Sequence, residues 1–288
     1  MFRSNNSSGL KNLMWDIHKY RSMDFQTSPI DEYERLIGRI INDYKTQTFF
    51  WGLPIIYRAR KHDVCGSIFE NIEQLIYPKK EKVTKFGRLN GVGESLFYCA
   101  SDKDTVLLEV RPKLGDEITI LESRLIDSVK IPEFAEVGIR EVMIQQNHSP
   151  EFVRQNIEML NKALKTRDDK ERYVLAHDFL VEEMTKIVED DKIYQYKGTI
   201  VIGRFLMNNL TKSKPVDGMV YRSISRTGAE CIALKPDSYD LHYKPDRCFK
   251  VKIVGKDARG QFVYHCIDKS ITIAQDGKIV RKVNSSSL

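Results

Sequence analysis

From Gly87 the chain runs GRLNGVGESLFY and continues CASDKDTVLLEVRP. This stretch constrains the fold more than any other, because of what its glycine turn leads into. A dinucleotide fingerprint needs G-x-G-x-x-G after a strand, so that the loop opens a helix whose N-terminus faces the pyrophosphate. Gly91 and Gly93 fill the first two places, but the third is Leu96, and the SLFYCA that follows is an apolar run of strand composition. The turn feeds a strand. It is therefore expected to aim Arg88 and Asn90 into a cleft rather than to wrap a phosphate with its amides.

The rest of the chain is read outward from that block. Upstream, DEYERLIGRIINDYKTQ places Tyr33, Leu36, Ile37, Ile40 and Ile41 on one helical stripe, a lead-in that packs on the domain behind it or on a partner. LPIIYRAR reads as a strand entered at Pro54, with Arg58 and Arg60 on one face. Residues 61–87 are polar and mixed, a connecting arm. After the glycine turn come the strand ESLFYCA and a short helix ending before Pro112, with Ser101 as its expected cap, Asp104 three places on and Glu109 in its last turn.

Downstream, EITILES is a strand, Ser149 and Pro150 start a helix, and ERYVLAHDFLVEEMTKIVEDD is a second one. YKGTIVIGRFLMNNL suits a third helix or, through its β-branched run, a strand. DGMVYRSIS and ECIALKP alternate as strands, and RCFKVKIVGKDARGQFVYHCID reads as a hairpin turning at KDARG. This order of helix, strands, helices and strands predicts an α+β fold. Three segments are expected: an N-terminal helical extension over 1–48, a catalytic domain over 49–246 with a helical middle at about 149–210, and a C-terminal β hairpin over 247–288.

Composition narrows the partners little. A net charge of +6 suits a polyanion, but the basic residues lie in short clusters such as YPKKEKVTK and VRKV, without the interleaved aromatics of a nucleic-acid groove. Five widely spaced cysteines with no C-x-x-C point to neither a zinc site nor a disulfide framework, and no metal is expected. The six histidines form no H-E-x-x-H, and neither a Walker loop nor a G-x-S-x-G elbow occurs. No stretch has the apolar length of a signal peptide core or a membrane span, so a cytoplasmic setting without membrane contact is expected.

Candidate chemistry rests on polar residues beside strand-like runs. Arg58 and Arg88 are each able to fork onto phosphate oxygens, which suits a diphosphate ligand, though two surface or salt-bridged arginines have the same signature. Arg88 is expected to share a face with Phe86 if its strand begins that early. Glu109 lies within the apolar DTVLLEVR, where a carboxylate is either partnered or functional. Ser223, in YRSIS, signals nothing alone.

Taken together, YRAR, GRLNGVGESLFYCASDKDTVLLEVRPKLGDEITI and DGMVYRSISRTGAECIALKP resemble the RES domain family, named for an Arg, a Glu and a Ser. The resemblance covers roughly Pro54 to Pro236. It implies an ADP-ribosyltransferase-like split β core with a helical insertion and a cleft for NAD+, to which the N-terminal helical extension and the C-terminal hairpin, both outside the resemblance, are added. It further implies a toxin that consumes NAD+ as substrate, with inorganic phosphate or water as co-substrate and no separate cofactor. A neutralising Xre-like antitoxin or a self-inhibiting oligomer would restrain it, with nucleic acid reached only through the antitoxin.

Carried over, the catalytic residues are Arg58, Glu109 and Ser223, and the NAD+-binding set is Arg58, Arg88, Tyr98, Asn90 and Tyr57. Leu89 stands where many members have an aromatic, Arg222 where they have Pro, and Ala229 and Glu230 near their Gly-Asn. These departures bear on the edge of the nicotinamide pocket and on the choice between water and phosphate. ADP-ribosylation of a protein target and a non-enzymatic basic binding module are the alternative activities.

Overall fold

The computed structural model describes residues 6–281 except 43, 45–47, 128–129, 140–149, 209–214, 259 and 275. Two five-stranded sheets form its frame. The first has the order β1 (Thr48–Phe50), β5 (Glu133–Val137), β6 (Gly218–Arg222), β7 (Glu230–Leu234) and β3 (Phe97–Cys99). The second runs β10 (Ile279–Arg281), β9 (Phe262–Ile273), β8 (Tyr243–Lys256), β4 (Glu117–Leu125) and β2 (Ile55–Lys61). Strand alternation divides the core: Met219 and Tyr221 of β6 face a helical layer, while Val220 joins Ile56 of β2 and Leu121 of β4 between the sheets.

Every pairing is antiparallel except β5 with β6. A parallel pair needs a crossover, and the helical middle supplies it as α4 (Pro150–Ala163), α5 (Arg167–Thr185) and α6 (Lys197–Asn208), named after the three helices that precede them. The expected cap Ser149 lies outside the described residues. In α6 the β-branched run is helical, with Ile200, Val201 and Ile202 buried. Tertiary packing decides this. Gly198 lets Tyr20 approach so closely that a Cβ there would lie 1.9 Å from the phenolic oxygen.

The N-terminal lead-in is two helices, α1 (Asn6–Arg21) and α2 (Ile30–Asn42), broken where Asp24 accepts from Gln26 N and Thr27 Oγ1. The stripe from Tyr33 to Ile41 is buried as its spacing predicts. The arm after β2 carries two short 3₁₀ turns, Ile72–Gln74 and Lys80–Lys82.

Helix α3 (Lys103–Glu109) is capped one residue later than expected: Asp102, not Ser101, accepts from Thr105 N at 2.9 Å. Ser101 instead donates to Glu230. The C-terminal hairpin is integral to the second sheet, since β8 pairs with β4 from Leu125↔Tyr243 to Glu117↔Lys252. The 246/247 boundary therefore falls inside β8, which α7 (Pro236–His242) precedes directly. Among the described residues no helix is long and apolar enough to cross a membrane.

Candidate active site

The two sheets touch where β2 meets the end of β3, through paired hydrogen bonds between Tyr57 and Ala100 at 2.9 and 3.0 Å. A cavity of about 650 Å³ opens beside this junction, within the range of small-molecule sites. Arg58, Arg88, Tyr98 and Glu109 line it, together with Tyr221 and Cys231 from the helical face of β6 and β7.

Arg58 projects from the same face of β2 as Ile56. Its guanidinium lies 5.2 Å from the Phe97 ring centroid, and Nη1 donates to the Tyr98 carbonyl at 2.8 Å. Its Nε is buried without a hydrogen-bond partner, the kind of orphan that a ligand or water satisfies. Burial, and then neighbouring Arg60, lower its pKa to about 10, so it remains a cation at neutral pH.

Glu109 ends α3 and is half-buried. Ser223 follows β6 directly, and its Oγ donates to Glu109 Oε1 at 2.6 Å across 114 positions of sequence. The same Oγ accepts from Ser225 N at 3.2 Å and Arg226 N at 3.1 Å. With both acceptor sites used, the hydroxyl proton is left for the carboxylate. Burial, and next the Glu109 charge, raise the Cys231 thiol well above its ordinary pKa, so it stays protonated beside the acid.

The glycine turn commits alternate amides to partners within the chain. Gly87 N donates to Asn90 O at 2.9 Å, Leu89 N to Tyr98 Oη at 2.9 Å, Gly91 N to Glu94 Oε2 at 2.6 Å and Gly93 N to Val83 O at 2.9 Å. Gly87 is required sterically, because a Cβ there would lie 2.3 Å from Asn90 Oδ1. Asn90 Oδ1 in turn accepts from Tyr98 Oη at 2.8 Å. The phenol is thereby fixed, and burial raises its pKa above the ordinary tyrosine value.

Arg88 differs from its expected setting. The strand begins at Phe97, so Arg88 lies in irregular chain, and its guanidinium donates to the carbonyls of Met184 at 2.8 Å and Lys186 at 3.2 Å. It sits 5.3 Å from the Tyr196 ring centroid. It therefore staples the C-terminal end of α5, where carbonyls lack intrahelical partners.

Of the seven residues singled out from sequence, four line the cavity: Arg58, Arg88, Tyr98 and Glu109. Ser223 and Asn90 stand behind them, holding Glu109 and Tyr98. Tyr57 is not brought in. It is not among the lining residues; its ring lies 5.3 Å from Lys103 Nζ and packs against the cluster of Ile118 and Val251.

Sequence reasoning passed over Tyr221 and Cys231, although the alternation of β6 and β7 puts both on one face. The mouth is lined by Lys61, Arg111, Lys113, Asp190 and Tyr196, none of them a site residue in the sequence reading, which offered Arg111 as a partner for Glu109; Ser223 takes that place. Across the whole cavity the lining has five basic side chains against two carboxylates, so its field favours an anionic ligand. Among the described residues no group of three His, Cys, Asp or Glu stands close enough to hold a metal. No family model, curated protein or solved structure matches the chain.

Proposed function

We propose that this chain is an NAD+-consuming enzyme that cleaves the bond between nicotinamide and ribose by phosphorolysis or hydrolysis, acting as a growth-arresting toxin or defence effector. The RES-domain motifs motivate the reading, which takes the two sheets as the split β core of an ADP-ribosyltransferase-like fold. One observation carries it: the 2.6 Å Ser223 to Glu109 bond on a predominantly basic cavity that also holds Arg58.

The chemistry suits these groups. Nicotinamide leaves as a neutral base, taking the electron pair of the glycosidic bond, so departure needs no general acid. Positive charge grows on the ribose, and Glu109, oriented by Ser223, stabilises that oxocarbenium-like centre. A water oxygen then bonds to the ribose carbon and loses its proton to Glu109, giving ADP-ribose. Alternatively a phosphate oxygen attacks directly and gives the 1''-phosphate. Arg58 supplies cationic donors for phosphoryl oxygens, and Tyr98 offers a fixed aromatic face to the nicotinamide or ribose.

The test is to incubate purified protein with NAD+, with and without phosphate, and to follow nicotinamide and the ribosyl product. Release abolished in Glu109→Ala supports the reading, and absence of turnover by the wild type refutes it. Labelling of macromolecules in a lysate would favour ADP-ribosyl transfer instead. An active toxin also implies restraint by an antitoxin or by self-association, so expression of the wild type alone arrests growth and Glu109→Ala relieves the arrest.

A further inference from the structure

We propose that Arg111 is a phosphate-binding residue at the mouth of the cleft, taking phosphoryl oxygens of the dinucleotide or of inorganic phosphate. The proposal rests on the NAD+ reading of the cavity. Its first support is backbone geometry. Arg111 has φ 46°, in the left-handed region, and no other described non-glycine residue has positive φ. It follows Val110, the C-cap of α3, and its N–H donates to Leu108 O at 3.0 Å. A glycine is the relaxed occupant of that position, so an arginine there is strained.

The fold does not require the side chain. Nη1 pairs with Asp190 Oδ1 at 3.2 Å, but the Asp190 side chain is 96% exposed; Nη2 donates to Val188 O at 3.2 Å. Exposed pairs of this kind contribute little to stability. Strain is thus retained for a group whose present contacts are weak, the pattern found where the strained residue serves a site.

Its surroundings point to an anion. Arg111 lines the cavity two residues from Glu109, with Lys61 and Lys113. Lys61 is occupied by Asp116 at 2.6 Å, and the Lys113 charge also bears on that carboxylate. Of the other cleft arginines, Arg88 is committed to the end of α5, while Arg58 donates to Tyr98 O and keeps an unpartnered Nε. Phosphoryl oxygens would replace Asp190 and the Val188 carbonyl with charge-assisted forked bonds, which are stronger than the contacts released.

The experiment uses the full chain, with inorganic pyrophosphate, ADP-ribose and inorganic phosphate as calorimetric probes, and a thermal melt beside each titration. Arg111→Gly is expected to keep or raise Tm while weakening binding roughly ten- to a hundredfold. Arg111→Lys should fall between, having charge without the fork. Asp190→Ala, which frees the guanidinium, should bind as tightly as wild type or tighter. A loss with pyrophosphate and ADP-ribose places Arg111 on the diphosphate; a loss confined to inorganic phosphate places it on the nucleophile.

Wild-type affinity in Arg111→Gly overturns the proposal, as does weaker binding in Asp190→Ala. A wild type that binds none of the probes overturns it together with the NAD+ reading. A wild type that binds pyrophosphate through Arg111 but releases no nicotinamide removes the NAD+ reading and leaves the phosphate site standing.

Discussion

The inner wall and the mouth of the cleft hold their charges in different ways. On the wall, Glu109 meets a serine whose hydroxyl is aimed by two backbone amides, and Tyr98 meets Asn90 and Leu89 N. At the mouth, Arg111 meets an almost fully exposed Asp190. The wall is preorganised, so its groups need no rearrangement when charge develops in a transition state. The mouth is tethered by contacts that a ligand can displace. One cavity thus combines a rigid place for bond cleavage with an adjustable place for binding.

The sharpest test of that contrast is at Glu109. Glu109→Gln should lower nicotinamide release by about 10² to 10³ while Tm stays close to wild type, because one preorganised electrostatic group is lost and no core packing changes. Steady-state release and a thermal melt on the same preparation check both halves. Ser223→Ala should cost less, about 10- to 100-fold, the worth of one hydrogen bond to a charged group. The loss should appear in kcat more than in KM if Ser223 only orients the carboxylate.

Arg88 divides the two regions, lining the cavity while stapling α5. Arg88→Ala should lower unfolding free energy by about 1 to 3 kcal/mol, measured by urea titration, because it leaves carbonyls at the helix end unpaired. Unchanged stability would mark Arg88 as a ligand group instead.

A smaller effect is expected from a buried pair outside the cleft, Glu117 with Lys250 at 2.5 Å. The Lys250 hydrogen bond, then the Gly66 amide, hold the Glu117 carboxyl down to about 2 against an ordinary 4.5. A folded-state pKa below the unfolded one means stability that is full above about pH 4.5 and lost as pH falls toward 2. Glu117→Gln should flatten the acid slope by no more than about 1.4 kcal/mol per pH unit. The smallest effect belongs to Tyr57→Phe: with its ring outside the cavity lining, it should leave nicotinamide release unchanged within about twofold.

Much of the fold was legible because local rules govern it. The Tyr33 to Ile41 stripe, the alternation of β6 and β7 and the KDARG hairpin all reflect side-chain period, which a strand or helix imposes on its own residues. The α3 cap missed by one residue because Ser101 and Asp102 are both good caps, and a distant partner, Glu230, draws Ser101 away. Tyr57 adjoins Arg58 in sequence, but its ring packs beside Lys103 and the cluster of Ile118 and Val251, a placement that only the fold decides.

What the sequence determined alone was therefore the type of the strongly periodic elements, and the reading of GRLNGVG as a turn that feeds a strand. The tertiary structure alone decided that α6 is a helix, that the C-terminal hairpin completes a sheet begun at β2, that Arg88 serves α5, and that Ser223 reaches Glu109. The physical reason is range. Periodicity and capping act over a few residues, whereas a hydrogen bond spanning 114 positions exists only once packing has brought two elements together.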